Sequence, residues 1–432
     1  MGALQVVKWN NAEAGMAEQS ENLLRTILGQ GFEGYWVGGC VRDELIGRPV
    51  HDMDMTTSAL PEEIVGLFKH TIPTGIQHGT ITVMLQGYAF EVTTYRVEST
   101  YENHRRPDEV TFVKEISEDL KRRDFTMNAI ARAVDGTYID PFGGRQDTEK
   151  GIIRCVGNPL ERFNEDALRM VRCVRFASVF GYSIAKDTWK GLLSQRANLQ
   201  YIALERIRVE LEKVMSGNNP LRGLDLLRRS QLLDFAKVPV LSTRFDSDII
   251  MGLNQVMLEP ASLKWALLLY AGGYTSSEAG QLLRKWTFSN QDKDEICNIL
   301  RLDEQVKQVI RIQDSEISNE ERRLSWIRLV LDRGRSTALN WLKLQRTLPE
   351  HRRVFPLAWL DFLATWEQQM HIHHLKELSI TGKEVLKVTP IPAGSWLGEL
   401  LQQLLLSVAA GIVANDKNCL IEEIKRVNIS HG

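Results

Sequence analysis

The sequence predicts an α/β domain built on a mixed β-sheet, followed by an all-α remainder of the chain. Between about residues 20 and 150, short runs rich in Val, Thr and Tyr alternate with helical segments, and Gly and Pro separate them. After Pro159, apolar residues recur at three- and four-residue spacing to the end, which is typical of amphipathic helices. Gly217-Asn218-Asn219-Pro220 marks a helix end, and Thr389 to Gly394 interrupts the last helical region.

Composition indicates a globular protein with several domains. The chain has 432 residues, of which 25% are charged and 43% hydrophobic, and this length allows two to four domains. The net charge is only −2, so contact with nucleic acid would have to come from local basic clusters. The charge therefore neither establishes nor excludes an RNA partner.

The five cysteines are scattered and lack Cys-x-x-Cys spacing, which argues against a disulfide framework and against a zinc site. We therefore expect a reducing, cytoplasmic environment. The N-terminus lacks a basic start with an apolar core, so no targeting segment is expected. The longest apolar stretch, Leu404 to Ala414, is too short to span a bilayer, and no membrane association is expected.

The first predicted strand, Tyr35-Trp36-Val37, runs directly into Gly38 and Gly39. Two residues without a Cβ let backbone N–H groups approach a triphosphate closely. A glycine pair alone is more often a tight turn, so it indicates a triphosphate site only together with the acidic residues that follow it.

Asp52 and Asp54 follow, one residue apart. On a strand, alternate residues point to the same face, so this pair can jointly hold divalent cations while Met53 packs behind them. A lone Asp-x-Asp is more often a solvated turn. Glu91 lies on a second alternating run, Ala89 to Tyr95, which could place a third carboxylate beside the pair and allow two metal ions.

Three further segments carry a family resemblance: Arg122 to Ala129, Asp140-Pro141-Phe142-Gly143-Gly144, and Glu165 to Phe176. With the motifs above, and in this order, they resemble the bacterial class II tRNA nucleotidyltransferases, the CCA-adding enzymes of the polymerase β superfamily, which also includes eubacterial poly(A) polymerases. The resemblance is dense over about residues 20 to 215, weak near Ile380 to Lys383, and poor between about 245 and 375.

The resemblance implies a polymerase β-like nucleotidyltransferase head followed by an all-α neck, body and tail in an elongated arrangement. The implied boundaries are a catalytic head at 1–150, a base-recognising neck at 151–219, a body at 220–325 and a tRNA-binding tail at 326–432. It also implies that Gly38, Gly39, Arg42, Arg123 and Asn128 bind the nucleotide, with Arg123 positioning the phosphates and base-reading residues and Asn128 touching the ribose.

Asp166 and Arg169 are expected to be neighbours on one helix face, because they are three residues apart. A carboxylate accepts and a guanidinium donates hydrogen bonds, so the pair suits the edges of cytosine and adenine and rejects uracil and guanine. The alternative is an ordinary salt bridge within the helix. Arg172 and Arg175 continue the helix and could face the triphosphate or brace the head against the neck.

Two further segments match the resemblance. Ala203 to Lys213 resembles the motif that supports the base-reading helix. The stretch from Arg96 to Asp108, which contains Arg105 and Arg106, looks like the flexible loop that CCA-adding enzymes need for the final A. It departs mildly from that pattern, with Glu98-Ser99-Thr100 in place of an acidic-Gly pair. Its presence argues against an enzyme that adds only C.

The resemblance therefore implies a Mg²⁺-dependent transferase that adds C, C and A to the 3′ end of tRNA from CTP and ATP. Asp52 and Asp54 would be the metal ligands, and Glu91 the third catalytic carboxylate. No obligate protein partner is inferred. Three alternatives remain: an A-adding enzyme that works beside a CC-adding one, a poly(A) polymerase, and a non-catalytic RNA-binding protein.

Overall fold

The computed structural model describes residues 7–98, 101–102, 106–107, 110–240, 244–254, 258–310, 317–389 and 392–429. The chain divides into two compact units, Met1–Thr243 and Arg244–Gly432. The predicted boundaries at residues 150, 219 and 325 stay predictions.

The described strands all belong to the first unit. They are β1 (Gly34–Val37), β2 (Met55–Thr57), β3 (Thr71–Gly75), β4 (Thr80–Leu85), β5 (Tyr88–Thr94), β6 (Arg96–Glu98), β7 (Tyr101–Glu102), β8 (Arg106–Pro107), β9 (Val110–Phe112), β10 (Ala131–Arg132), β11 (Tyr138–Ile139), β12 (Ile152–Ile153) and β13 (Ser183–Ile184).

The first unit also holds ten of the described α-helices. They are α1 (Ala14–Gly29), α2 (Gly39–Leu45), α3 (Pro61–Leu67), α4 (Ile116–Lys121), α5 (Gly144–Glu149), α6 (Pro159–Glu165), α7 (Leu168–Phe180), α8 (Lys186–Gln195), α9 (Leu204–Met215) and α10 (Pro220–Ser230).

Seven strands form one mixed sheet in the order β11-β10-β1-β2-β5-β4-β3. Strands β2 and β5 are parallel, and the other neighbours in this sheet are antiparallel. The centre of the sheet is apolar, since Trp36 and Met55 are buried, and helix α1 covers it with Leu23, Leu24 and Ile27. The Trp36 indole N–H donates to Ser20 Oγ on α1 at 3.0 Å, which satisfies a buried donor and fixes the helix on the sheet.

After Pro159 the first unit is helical apart from β13, which pairs with β12. The prediction of an all-α remainder is therefore wrong at this short strand and confirmed elsewhere in the described chain. Helix α7 packs against α9 and α10 through buried apolar residues, among them Met170, Val174 and Leu211. Helices α7 and α9 carry four of the seven arginines that line the candidate site.

All regular elements among the described residues of the second unit are helices. Its helices are α11 (Ser247–Ile250), α12 (Ala261–Ala271), α13 (Ser276–Lys285), α14 (Asn290–Val309), α15 (Asn319–Arg333), α16 (Arg335–Thr347), α17 (Leu357–Gln368), α18 (Gly382–Val388), α19 (Ser395–Ala409) and α20 (Lys417–Ile429).

Buried polar contacts tie this second unit together. Asp303 on α14 is 4% exposed and accepts hydrogen bonds from the Trp341 indole and the Gln345 amide, both at 2.9 Å and both from α16. Three helices begin with a capping box, in which Thr275, Ser318 or Thr381 exchanges hydrogen bonds with a glutamate three residues later.

All five cysteines are free thiols, as their spacing predicted. No helix in the described part of the chain is long and apolar enough to cross a membrane.

Candidate nucleotide site

The acidic pair lies just before β2. Asp52 and Asp54 immediately precede that strand and are not part of it, so the predicted strand begins later than expected. The alternation still holds, because Met53 between them is 1% exposed. The Val37 N–H donates to the Asp54 carbonyl at 3.0 Å, which fixes this segment against the end of β1.

Glu91 is brought to the pair by the parallel register of β2 and β5. Met55 is opposite Val92, so Glu91 sits one position back, beside Asp54. Burial raises the pKa of Asp54 to about 6, and the charges of Asp52 and Glu91 add to the rise, while Arg123 opposes it. Asp54 is thus close enough to each of the other two carboxylates to be repelled by its charge.

The donor chemistry of the pair fits a hard divalent cation. Among the described residues, neither Asp52 nor Asp54 has a side-chain hydrogen bond or ion-pair partner at contact distance, so their oxygens are available. No group of three or more His, Cys, Asp or Glu in the described ranges is arranged to hold a metal ion. The predicted participation of Glu91 as a third catalytic carboxylate stays a prediction.

The glycine pair leaves room beside both the acids and the arginines. Gly38 has φ 76°, a left-handed conformation that favours glycine, and precedes α2. A Cβ on Gly38 would lie 3.2 Å from Nη1 of Arg123, and one on Gly39 would lie 4.0 Å from Oδ1 of Asp52. A side chain at Gly38 would therefore be strained and would press on Arg123, whereas a Cβ on Gly39 would make only ordinary contacts.

A cavity of about 500 Å³ opens beside Asp54. Its lining contains seven arginines and three aspartates, so the walls carry an excess of positive charge, as a polyanionic ligand requires. The lining residues are Gly38, Gly39, Arg42, Asp54, Arg122, Arg123, Asp124, Asn128, Asp166, Leu168, Arg169, Arg172, Arg175, Phe176 and Arg206.

All nine residues predicted to bind the nucleotide are in this wall, from Gly38 and Gly39 to Arg172 and Arg175. Asp52 and Glu91 do not line the cavity. The structure thus brings together residues from α2 and the glycine before it, from the segment after α4, and from α7 and the break before it. Their individual roles stay predictions.

Asp124 and Asn128 organise one wall. Arg42 donates to Oδ1 of Asn128 at 2.6 Å, and Asn128 donates to Oδ1 of Asp124 at 2.9 Å. Nε of Arg172 donates to Oδ2 of the same carboxylate at 2.8 Å. Burial alone would raise the pKa of Asp124, but Arg172, the Asn128 hydrogen bond and Arg169 lower it to about 2. The carboxylate is therefore charged and holds residues of α2 and α7 in one network.

Glu210 on α9 anchors the same arginines from behind. Its carboxylate is 2.6 Å from Nε of Arg175 and 3.8 Å from Nη1 of Arg172, and the residue is 5% exposed. Arg172 therefore both lines the cavity and joins the segment around Asp124 to α9. The two roles predicted for Arg172 as alternatives are compatible in this geometry.

Asp166 and Arg169 do not share a helix face in the predicted way. Asp166 lies in the break between α6 and α7, where its Oδ1 accepts from the Leu168 N–H at 3.0 Å and its Oδ2 from Arg206 at 3.0 Å. This local Asx hydrogen bond ends α6 and starts α7, which is why continuous helical spacing does not apply.

Arg169 is bound to other protein acceptors. Its Nη1 donates to Glu165 at 2.6 Å and to the Arg162 carbonyl at 3.1 Å, and its Nη2 donates to the Arg122 carbonyl at 3.0 Å. The residue is 8% exposed. The ion pairs described for the two residues are Arg169 with Glu165 and Asp166 with Arg206, so the predicted alternative, a salt bridge between Asp166 and Arg169, stays a prediction.

Several site residues were not predicted as such: Arg122, Leu168, Phe176, Arg206 and Glu210. Arg206 and Glu210 lie in the segment that was assigned a supporting role, and their spacing of four on α9 could have indicated that both face α7. Arg122 pairs with the buried Asp119, as does Arg123. Burial alone would raise the pKa of Asp119, but these two arginines hold it below its usual value.

The predicted flexible loop is described only in part. Strands β6 and β9 pair, as do β7 and β8, so the backbone around the loop forms short antiparallel ladders. Arg105 and Asp108 lie outside the described residues, and of Arg106 only the backbone, in β8, is described.

Three family models match separate parts of the chain. Residues 34–154 match the poly(A) polymerase head domain, residues 181–242 match a probable RNA- and SrmB-binding site of polymerase A, and residues 257–424 match tRNA nucleotidyltransferase domain 2. The third match covers most of the region, about residues 245 to 375, where the sequence resemblance was poor.

Relatives extend over nearly the whole chain. A CCA-adding enzyme of Limosilactobacillus reuteri is 38% identical over 415 residues, which cover 95% of this chain and 96% of the relative. The crystal structure of the Bacillus stearothermophilus CCA-adding enzyme in complex with CTP is 33% identical, with a TM-score of 0.78 over 96% of this chain and 98% of that chain.

The Thermotoga maritima CCA-adding enzyme complexed with tRNA, at 19% identity, has the same fold, with a TM-score of 0.69 over 97% of each chain. Because the chain is 38% identical to the Limosilactobacillus reuteri enzyme over nearly the whole length of both proteins, it belongs to the family of CCA-adding enzymes.

Proposed function

We propose that this protein is a nucleotidyltransferase that adds C, C and A to the 3′ end of tRNA, using CTP and ATP without a nucleic acid template. The observation that carries the proposal is the cavity beside Asp54, in which seven arginines surround a space of about 500 Å³ and one partly exposed carboxylate, Asp166, faces the same space. The family membership and the match to tRNA nucleotidyltransferase domain 2 support tRNA as the acceptor.

Each group has a task in this proposal. Arg42, Arg123, Arg172 and Arg175 bind the triphosphate, for which guanidinium groups are well suited because they donate in a fixed fork. Asp166 accepts from the amino group of cytosine or adenine, and uracil and guanine present the reverse order of donor and acceptor. Arg206 and Glu210 hold these residues in place, and Asn128 contacts the ribose.

Arg169 completes the edge recognition in this proposal, although both its Nη atoms are already bound to protein acceptors. Its remaining hydrogen-bonding capacity is small, so Asp166 carries the greater part of base discrimination. The contacts of Asp166 and Arg169 therefore argue against equal contributions of the two residues to base discrimination.

Enzymes of this family use a divalent metal, and we propose Mg²⁺ as the ion, held by Asp52 and Asp54. Carboxylate oxygens are the ligands that Mg²⁺ prefers, and these two have no competing ion pair among the described residues. When bound, the ion neutralises the triphosphate and lowers the pKa of the attacking hydroxyl. Glu91 keeps the local charge negative beside Asp54 and is the candidate general base.

We further propose the head, neck, body and tail boundaries given above, a tail that grips tRNA, and a cytoplasmic location. The five free cysteines support a reducing compartment. The loop between Arg96 and Asp108 would act at the final A.

The decisive experiment gives purified protein tRNA that ends before C74, after C75, or at the complete end, with CTP, ATP or both. Products are sized at single-nucleotide resolution. The proposal expects CCA on the first substrate, A on the second and no extension of the third. Addition of A alone would favour the A-adding alternative, long A tracts would favour a poly(A) polymerase, and binding without extension would favour a non-catalytic protein.

A further inference from the structure

One aromatic ring lies among three arginines of the nucleotide site. Phe176, on α7, is 2% exposed and lines the cavity. The guanidinium carbon of Arg175 is 3.9 Å from its ring centroid, and those of Arg172 and Arg42 are each 5.4 Å away. All three distances are within the range in which a cation is attracted by the ring quadrupole.

The second ring of this cluster extends the arrangement. Phe180 stacks on Phe176 with centroids 5.6 Å apart and an interplanar angle of 8°. The guanidinium carbon of Arg42 lies 4.8 Å from the centroid of the Phe180 ring, and that of Arg48 lies 5.0 Å from it. Arg42 therefore contacts both rings, and Phe176 is the one that also reaches the arginines of α7.

Arginines gathered in this way repel one another. Burial lowers the pKa of Arg175 to about 10, and the charges of Arg172 and Arg42 add to the lowering, while Glu210 opposes it. Without compensation, the guanidinium groups would move apart or turn towards bulk water. The compensation on the protein side comes from the carboxylates of Glu210, Asp124 and Asp43 and from the face of Phe176.

A carboxylate and an aromatic face compensate charge differently. A carboxylate occupies the donors of the guanidinium fork, as Asp43 does with Nε and Nη2 of Arg42. A ring face leaves the donors in the plane of the fork unused. For Arg175, no described residue accepts a hydrogen bond from either Nη atom, while Nε lies beside Glu210. A ring is therefore the partner that keeps donors free for a phosphate.

We propose that Phe176 is a positioning residue for triphosphate binding: its ring holds the guanidinium groups of Arg42, Arg172 and Arg175 together and leaves the Nη donors of Arg175 to the ligand. This inference rests on the proposed function of the cavity. It assigns to the ring a role that a branched aliphatic side chain of similar size does not supply, because such a side chain has no quadrupole.

The test varies the electronics of the ring at nearly constant shape. Phe176 is replaced in the full-length protein by phenylalanines with one, two, three and five ring fluorines, which progressively remove the negative potential of the face. The probe is inorganic tripolyphosphate, which has the phosphates but no base or ribose, and its Kd is measured by calorimetry. We expect stepwise weakening, to roughly tenfold or more for the pentafluoro ring, given the size of cation–π energies.

The same fluorination at Phe163 is the matched control. Phe163 is fully buried in α6 of the same unit, and no guanidinium stacks on it among the described residues. Its fluorination should leave the Kd of tripolyphosphate unchanged. Phe176→Trp, which keeps an aromatic face, should retain more affinity than Phe176→Leu, and KM for CTP and ATP should rise together in the fluorinated series.

A flat or rising affinity across the fluorinated Phe176 series, with tripolyphosphate bound normally by the unsubstituted protein, would overturn the inference. A second outcome separates the two proposals. If fluorination of Phe176 weakens tripolyphosphate binding but the unsubstituted protein does not extend tRNA, the inference is supported and the proposed function is overturned. Folding failure of Phe176→Leu would not affect the result, because the fluorinated series alone decides it.

Discussion

Nη2 of Arg206 lies 3.0 Å from Oδ2 of Asp166, across 40 positions of sequence. Asp166 stands in a break between two helices, so its own backbone does not hold it as firmly as a helical residue. Its carboxylate is fixed by Arg206 on one oxygen and by the Leu168 N–H on the other. Helix α9 thus helps to set the direction of the Asp166 carboxylate, which we propose reads the base.

Asp166→Ala should relax discrimination among nucleotides. The variant loses the acceptor that opposes uracil and guanine, so the ratio of kcat/KM for CTP over UTP should fall by the equivalent of about 1–3 kcal/mol, on the scale of base-edge contacts. Single-nucleotide addition to tRNA lacking its 3′ end measures both values. A slower variant with an unchanged ratio would show that Asp166 only supports the helix break.

Arg206→Gln should relax discrimination less than Asp166→Ala, because Asp166 keeps its hydrogen bond from Leu168. In the double variant, Arg206→Gln should cause no further fall in the ratio of kcat/KM for CTP over UTP. Arg206 acts through the Asp166 carboxylate, and Asp166→Ala has already removed it. The ratio is measured as before in all four proteins of the cycle. Additive losses would mean that Arg206 contacts the nucleotide directly.

The sequence predicted which residues line this cavity better than it predicted which of their side chains pair. Gly38, Arg42 and Asn128 lie far apart in sequence from Arg172, yet all line one space, because motif order implies a shared fold even when no distance is known. What the motifs lacked was the pairing of the side chains. Arg169 was expected to pair with Asp166, but a helix break three residues earlier redirects it to Glu165.

Local patterns also misjudged where elements begin. Asp52 and Asp54 alternate as on a strand, but hydrogen bonding to β5 starts only at Met55. An extended segment and a strand have the same side-chain alternation, so sequence alone does not separate them. Glu210 was assigned a supporting role with the rest of its motif, but its arginine partners on α7 were not identified, because sequence spacing does not show which helix faces α9.

Asp124→Asn should destabilise the protein in a pH-dependent way. The carboxyl has a folded-state pKa of about 2 against a usual value of 3.8, so its charge stabilises the folded state above pH ~4, and this contribution is lost as the pH falls towards 2. At pH 7 we expect a loss of about 2 kcal/mol, falling to roughly half at pH 3. Denaturant unfolding of both proteins at the two pH values measures it. Equal differences would exclude a contribution from the charge.

Asp54→Asn should abolish the addition of both C and A while leaving tRNA binding nearly intact. The carboxylate is needed for the metal, and its neighbours Met53 and Met55 provide the packing. Losing a metal ligand should cost several kcal/mol of transition-state stabilisation. Asp187→Asn, at an exposed position on α8, is the control and should keep full activity. Activity of Asp54→Asn within tenfold of the unsubstituted protein would contradict the metal assignment.

Shortening the loop between β6 and β9 should separate the two kinds of addition. Glu98 is directly opposite Val110, so residues 99–109 can be replaced by a two-residue Asn-Gly turn without disturbing the ladder from Arg96 to Phe112. We propose that the pocket changes shape between the addition of C and of A, and a polar loop joined to the domain that holds Asp54 is suited to drive that change. CC addition should stay close to normal, and addition of the final A should fall strongly. An eleven-residue Gly/Ser replacement controls for length alone, and equal slowing of both steps would make the loop a general binding element.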